Sequence, residues 1–153
     1  MTAHADEELL EVHILKFPLA VFERSRRHTE ELLREFEFIA EGVPQPTPAR
    51  LLQLVQSLTE RFGGLNTDTE ERVESAVARG DASIDLVYSV PAVAAEASKE
   101  LLAMLDEADD FCRHGDLLTL VTPADQIAFR RWYLDEFINQ LAGGTATPWS
   151  GPA

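Results

Sequence analysis

Apolar residues recur along this chain in two different rhythms, and each predicts its own kind of element. Ile84, Leu86, Tyr88 and Val90 alternate with Asp85, Val87 and Ser89. Alternation puts successive side chains on opposite faces of an extended strand, one packed and one wetter. Elsewhere the apolar positions return every three or four residues, which gathers them on one side of an α-helix. Val21, Phe22, Leu32, Leu33, Phe36 and Ile39 form such a stripe after Pro18, and Leu51, Leu54, Val55, Leu58 and Phe62 form another after Pro48, ended by Gly63-Gly64. Thr67 with Glu70 three residues on has the form of a capping box for a third helix that stops at Gly80. That helix has only Val73, Ala76 and Val77 to bury and is expected at the periphery. A fourth helix follows Pro91 and packs through Ala94, Ala97, Leu101, Leu105, Ala108 and Cys112, and a fifth spans 123–141.

Proline punctuates the pattern. Apolar extended stretches at 12–17, 84–90 and 117–122 run into Pro18, Pro91 and Pro123, each followed by helical periodicity. Proline suits the first position of a helix and holds its predecessor extended, so these read as strand-to-helix junctions. Their spacing is irregular, which excludes a solenoid of equal repeats. The run 117–121 does not alternate and is expected to be an enclosed strand. The predicted fold is α+β and predominantly helical: about five helices with a small three-stranded sheet, in the order β-α-α-α-β-α-β-α, the last two strands joined by a parallel right-handed crossover. An all-α bundle with extended linkers is the alternative. Residues 9–142 are expected to form a single globular domain, between a disordered acidic tail at 1–8 and a disordered Gly/Pro/Ser tail at 143–153.

Composition narrows the setting. A chain of 153 residues can bury one core without a covalent staple. Its one cysteine, Cys112, has no internal disulfide partner, and the polar, acidic first residues lack the basic start and apolar run of a signal peptide, so a cytoplasmic location is expected. Charges interrupt every apolar stretch before the roughly 18 to 20 residues that cross a bilayer. A formal net charge of -14 disfavours nucleic acid as a partner, since that affinity comes largely from basic residues neutralising phosphates. The exception is a short basic cluster, Arg24, Arg26, Arg27 and His28.

Sites with known chemistry are incomplete. Asp106, Asp110 and His114 stack at intervals of four and are weak metal candidates, because ligands from one straight helix cannot surround an ion and no HExxH or similar set completes the shell. Neither glycine pair belongs to a phosphate-binding loop, no GxGxxG occurs, and no serine sits in a GxSxG turn, so neither a cofactor nor a catalytic residue is assigned. Two residues of the last helix break its pattern. Arg130 falls inside the apolar arc, where it must pair or snorkel, and Trp132 falls on the polar side, where it packs on a neighbour or meets a partner. On the first helix Phe38 projects away from the stripe, and Arg24 and Arg27 point to solvent, a combination suited to an acidic partner surface.

The stretches EVHILKFPLAVFERSRRHTEELLREFEFIA, ARLLQLVQSLTERFGG, ARGDASIDLVYSVP and EADDFCRHGDLLTLVTPADQIAFRRWYLDEFINQL resemble a group of small actinobacterial proteins. The resemblance implies the company of partner-switching systems, with their STAS-domain antagonists, serine phosphatases and histidine-kinase-like anti-sigma ATPases. It brings no active-site motif, and the acidic-Asn and Asp-x-Gly-x-Gly boxes that hold Mg-ATP in those ATPases are absent. The expected function is therefore a non-catalytic regulatory module that binds another protein or itself, through Arg130, Trp132, Phe38, Arg24 and Arg27. The alternative is a small-ligand-binding protein or enzyme with a site near Arg130 or near Asp106, Asp110 and His114.

Overall fold

The computed structural model describes residues 8–42 and 45–152. The elements run β1 (Leu9–Pro18), α1 (Leu19–Glu41), α2 (Pro46–Phe62), α3 (Thr67–Arg79), β2 (Ser83–Pro91), α4 (Ala94–His114), one 3-10 turn (Leu118–Leu120) and α5 (Ala124–Leu141). β1 and β2 pair antiparallel, from Leu9 opposite Pro91 to Pro18 opposite Ser83, and form the one sheet among the described residues. The architecture is thus five helices with a two-stranded antiparallel sheet. This corrects the expected third strand, the β-α-α-α-β-α-β-α order and the parallel crossover, and equally the all-helical alternative. The acidic tail expected at 1–8 lies, apart from Glu8, outside the described residues.

The hydrogen bonds explain why 117–122 is not a strand. α4 ends in a tight turn, with Asp116 at a φ of 57°. The Leu117 N–H then donates back to the Cys112 carbonyl at 2.8 Å and the Leu120 N–H to the Leu117 carbonyl at 3.0 Å. The Val121 N–H turns back to the Leu118 carbonyl at 3.3 Å, and the Thr122 N–H is taken by Asp109 Oδ1 at 2.9 Å. A ladder needs those groups free. Leu120 and Thr122 face inward, while Leu118 stands mostly in solvent.

β1 shows how a short strand can keep its apolar face. Val12 and Ile14 are buried at a period of two, which would next bury Lys16. Instead the register shifts between Ile14 and Phe17, with Lys16 at a φ of 56°. This bulge adds one residue, so Phe17 returns to the core and Lys16 leaves it.

A two-stranded sheet has two open edges, and here side chains close both. Along β1, the His13 N–H donates to Gln140 Oε1 and the His13 carbonyl accepts from Gln140 Nε2, each at 2.8 Å. The Trp149 N–H donates to the carbonyl of Leu15 in the bulge at 3.0 Å. Along β2, Asn66 both donates to and accepts from the Ser89 backbone, Thr69 Oγ1 donates to the Val87 carbonyl at 2.7 Å, and Arg72 donates to the Asp85 carbonyl. Asn66, not Thr67, is the residue preceding α3, and no side chain caps that helix. The expected capping box does not form, because Thr67 turns to the Gly64 carbonyl and Asn66 serves the sheet edge. Gly80 does close α3, at a φ of 75° that other residues adopt at a cost.

α5 lies against several neighbours at once. It packs on α4, on α1 and on β1, and the chain beyond it folds back along another side. That return segment has no helix or strand, yet the Thr147 N–H donates to the buried Glu136 at 2.8 Å, the Trp132 indole donates to the Thr147 carbonyl at 2.8 Å, and Trp149 packs against the core. A stretch whose composition suggests a disordered tail is held at several points. The apolar interior divides into a cluster under the sheet, including Ile14, Phe17, Leu86 and Phe137, and a cluster among α1, α2 and α4, including Phe36, Leu51, Met104 and Cys112. No helix among the described residues is long and apolar enough to cross a membrane.

Candidate functional site

At 100° per residue, Asp109 lies about 60° round α4 from Asp106, and Asp110 about 40° round in the opposite sense. α5 sits on the Asp109 side. Asp106 and Asp109 therefore meet Arg130: its Nη2 donates to Asp106 Oδ1 at 2.7 Å and to Asp109 Oδ2 at 2.8 Å. Its Nη1 donates to Thr122 Oγ1 at 3.0 Å. Thr122 in turn donates to Asp109 Oδ1 from its hydroxyl at 2.8 Å and from its N–H at 2.9 Å. From α1, His28 Nε2 donates to the Leu120 carbonyl at 2.9 Å and lies 3.5 Å from Thr122 Oγ1. One buried cluster thus fastens α1, the 3-10 turn, α4 and α5 together.

Electrostatics make this cluster a brace. Asp109 and Arg130 keep only 4% and 11% of their side-chain surfaces in solvent. Burial pushes the Asp109 carboxyl up, but the Thr122 N–H, the Thr122 hydroxyl and the Arg130 guanidinium more than offset it, so its pKa falls below the ordinary value. A carboxylate held ionised, with its oxygens already engaged, is a poor general base. Arg130 has its charge matched by two carboxylates, which weakens any attraction for an anionic substrate. Two buried atoms on this part of α5, Arg130 Nε and Gln126 Oε1, have no hydrogen-bond partner among the described residues.

The remaining sequence candidates are scattered. Asp110 pairs with Arg113 at 3.0 Å, and His114 Nδ1 lies 2.7 Å from the Asp110 carbonyl of its own helix, so neither joins Asp106 in its contact with Arg130 of α5. Among the described residues no group of three or more His, Cys, Asp or Glu is placed to hold a metal ion. Arg24 reaches Asp125 at 2.9 Å, Arg26 pairs with Glu23 and Glu30, and Arg27 is exposed. Phe38 is 75% exposed near the end of α1. Trp132 lies edge-on to Trp149, ring centroids 5.4 Å apart. Cys112 is buried, and burial pushes its thiol up to about 11.

Sequence reasoning missed Asp109 and Thr122. A signal was present: at 100° per residue Asp109 projects between Leu105 and Leu102, at the edge of the apolar arc of α4, as Arg130 projects inside that of α5. Opposite charges on the buried faces of successive helices are expected to find each other.

A second feature is a cavity of about 200 Å³, open to solvent on one side, between β2, α2, α4 and α5. Small residues of α4, Ala94, Ala97 and Ser98, leave the space, and Phe62, Tyr88, Tyr133 and Phe137 wall it. Tyr88 and Tyr133 meet edge to face, centroids 6.1 Å apart. Burial raises the Tyr133 phenol well above its ordinary pKa, with the Tyr88 phenol and the Glu70 carboxylate adding to it, and burial likewise raises Tyr88. Glu70 and Tyr88 also line a second groove of about 450 Å³ between α1 and α3. A wider depression between α2 and α4, about 500 Å³, is flanked by the Arg50–Glu107 ion pair and by other charged side chains, and gives little apolar enclosure. Comparison with protein-family models, curated proteins and solved structures finds no match to this chain.

Proposed function

We propose that this chain is a small-ligand-binding domain whose site is the cavity between β2, α2, α4 and α5. The observation that carries the reading is the convergence of two phenols with displaced pKa values and one carboxylate, Glu70, on an otherwise apolar cavity. Binding sites combine an apolar enclosure with a few polar groups that fix orientation, and perturbed titration is common in them. The Arg130 cluster supports this site indirectly. It joins α4 to α5 one turn from Leu134, which lines the cavity, and so holds two of its walls at a set distance.

The test is a fragment screen by amide NMR on the wild type and on Ala97→Leu, whose added side chain occupies the cavity. Ligands should shift the amides of Tyr88, Ser98 and Phe137 in the wild type and leave the folded variant unperturbed. Ligand shifts that persist unchanged in Ala97→Leu, or that centre on Arg130, place the site elsewhere.

A second reading, docking of a protein partner near the end of α1, has one observation in its favour, the exposure of Phe38. Trp132 and Arg130 make their contacts inside the fold, so Phe38→Asp is the variant that tests it, by oligomeric state and by capture of a defined partner-switching protein.

A further inference from the structure

We propose that the ligand of this cavity is an organic cation, an amine or quaternary ammonium carried on a compact apolar body. The inference rests on the cavity being the ligand site, and three observations give it its chemistry. The first is the wall: Tyr88, Tyr133 and Phe137 bring three aromatic rings to one small space, beside Phe62, one face of which the Arg61 guanidinium already covers at 4.9 Å. The face of such a ring carries negative potential and attracts a cation, most strongly where water is excluded. The second is charge. Among the described residues, Glu70 is the one acidic side chain that lines the cavity, and no lysine, arginine or histidine does. The third is the field beyond it. Through Glu70 and Tyr88 the cavity borders the groove between α1 and α3, where Glu23, Glu70 and Glu74 face Arg26 alone. Arg26 is already engaged by Glu23 and Glu30. The approach to the cavity therefore carries surplus negative charge, which attracts a cation and repels a carboxylate or phosphate.

Size limits the apolar body. A cavity of about 150 Å³ accommodates benzene, so about 200 Å³ takes one ring or a short branched alkyl group with the cationic centre directed toward Glu70. Selectivity for charge comes from Glu70 and the ring faces, and selectivity for shape from the alanines of α4.

Four probes of similar size separate the possibilities: 2-phenylethylamine, benzyltrimethylammonium, 2-phenylethanol and phenylacetate, titrated into the full chain by amide NMR. The two cations should bind roughly tenfold more tightly than the alcohol, the scale expected of one carboxylate and a partly desolvated aromatic wall. Phenylacetate should bind most weakly. Glu70 is exposed on α3, so Glu70→Gln keeps the fold, and it should weaken the cations severalfold while leaving the alcohol unchanged. Equal affinity for cations and alcohol, or tighter binding of phenylacetate, overturns the cation inference and leaves the cavity as a ligand site. Absence of shifts at Tyr88, Ser98 and Phe137 with all four probes overturns the cavity reading and the inference with it.

Discussion

Replacing Arg130 by Met removes a guanidinium from between two carboxylates of unequal exposure, and the inequality sets the cost. Asp106 keeps 45% of its side chain in solvent, so losing its partner there is worth little. Asp109 keeps 4%, and becomes a buried carboxylate without a counter-charge. Breaking a buried pair from one side costs about 3–5 kcal/mol. The Thr122 N–H and hydroxyl still bond Asp109 and bring the expectation to the lower end, about 3 kcal/mol. Against a total stability of about 5–15 kcal/mol this is a large fraction. The pH dependence identifies the cause. In the wild type the Asp109 pKa is depressed, so its contribution is complete above the unfolded value, about 3.9, and is lost as pH falls through the lower folded one. In Arg130→Met the same carboxyl loses the guanidinium's share of that depression and keeps the share from Thr122, so its folded pKa lies above the wild-type one, and the deficit shrinks as pH falls through the interval between the two. Arg130→Met with Asp109→Asn removes both charges but keeps an oxygen for the Thr122 N–H, and should recover most of the loss. Urea unfolding followed by circular dichroism at several pH values measures all three proteins. A single variant within about 0.5 kcal/mol of wild type, or a deficit independent of pH, refutes the brace.

Three further perturbations test other parts of the structure. Trp149→Ala removes the ring that packs on Trp132 and Phe129; it should cost about 2 kcal/mol, less than a fully buried tryptophan because Trp149 is partly exposed, and should move Trp132 emission to longer wavelength. An unchanged melting temperature and spectrum means the return segment is not docked. Above pH 9 stability should fall, because the folded state holds Cys112 protonated up to about 11, from an ordinary 9.0, and holds Tyr88 and Tyr133 protonated beyond their usual range, while the unfolded chain releases those protons sooner. For the same reason iodoacetamide should modify Cys112 quickly in urea and slowly in the folded protein at pH 8, and equal rates contradict the buried thiol.

Periodicity and punctuation determined much of this protein. The five helices, the alternation that buries Leu86 and Val90, and the starts of α1 and α5 after Pro18 and Pro123 follow from local sterics and from which side chains leave water together, information each segment carries by itself. Arg130 was visible as a charge that needed a partner. Its partners were not, because 21 residues separate it from Asp109, and only the packing of α5 on α4 selects Asp109 over Asp110. Trp132 looked misplaced only on the assumption that α5 buries one face. With α4, the sheet and the return segment on different sides, its polar side is an interior too. The sheet shows the same division. An apolar run such as 117–122 is compatible with a strand, but pairing depends on free backbone groups, and Asp109 and the turn after α4 had already taken them. Residue type and spacing decide what a segment can form; competition for buried hydrogen bonds and for space, settled only when the segments meet, decides which possibility is realised.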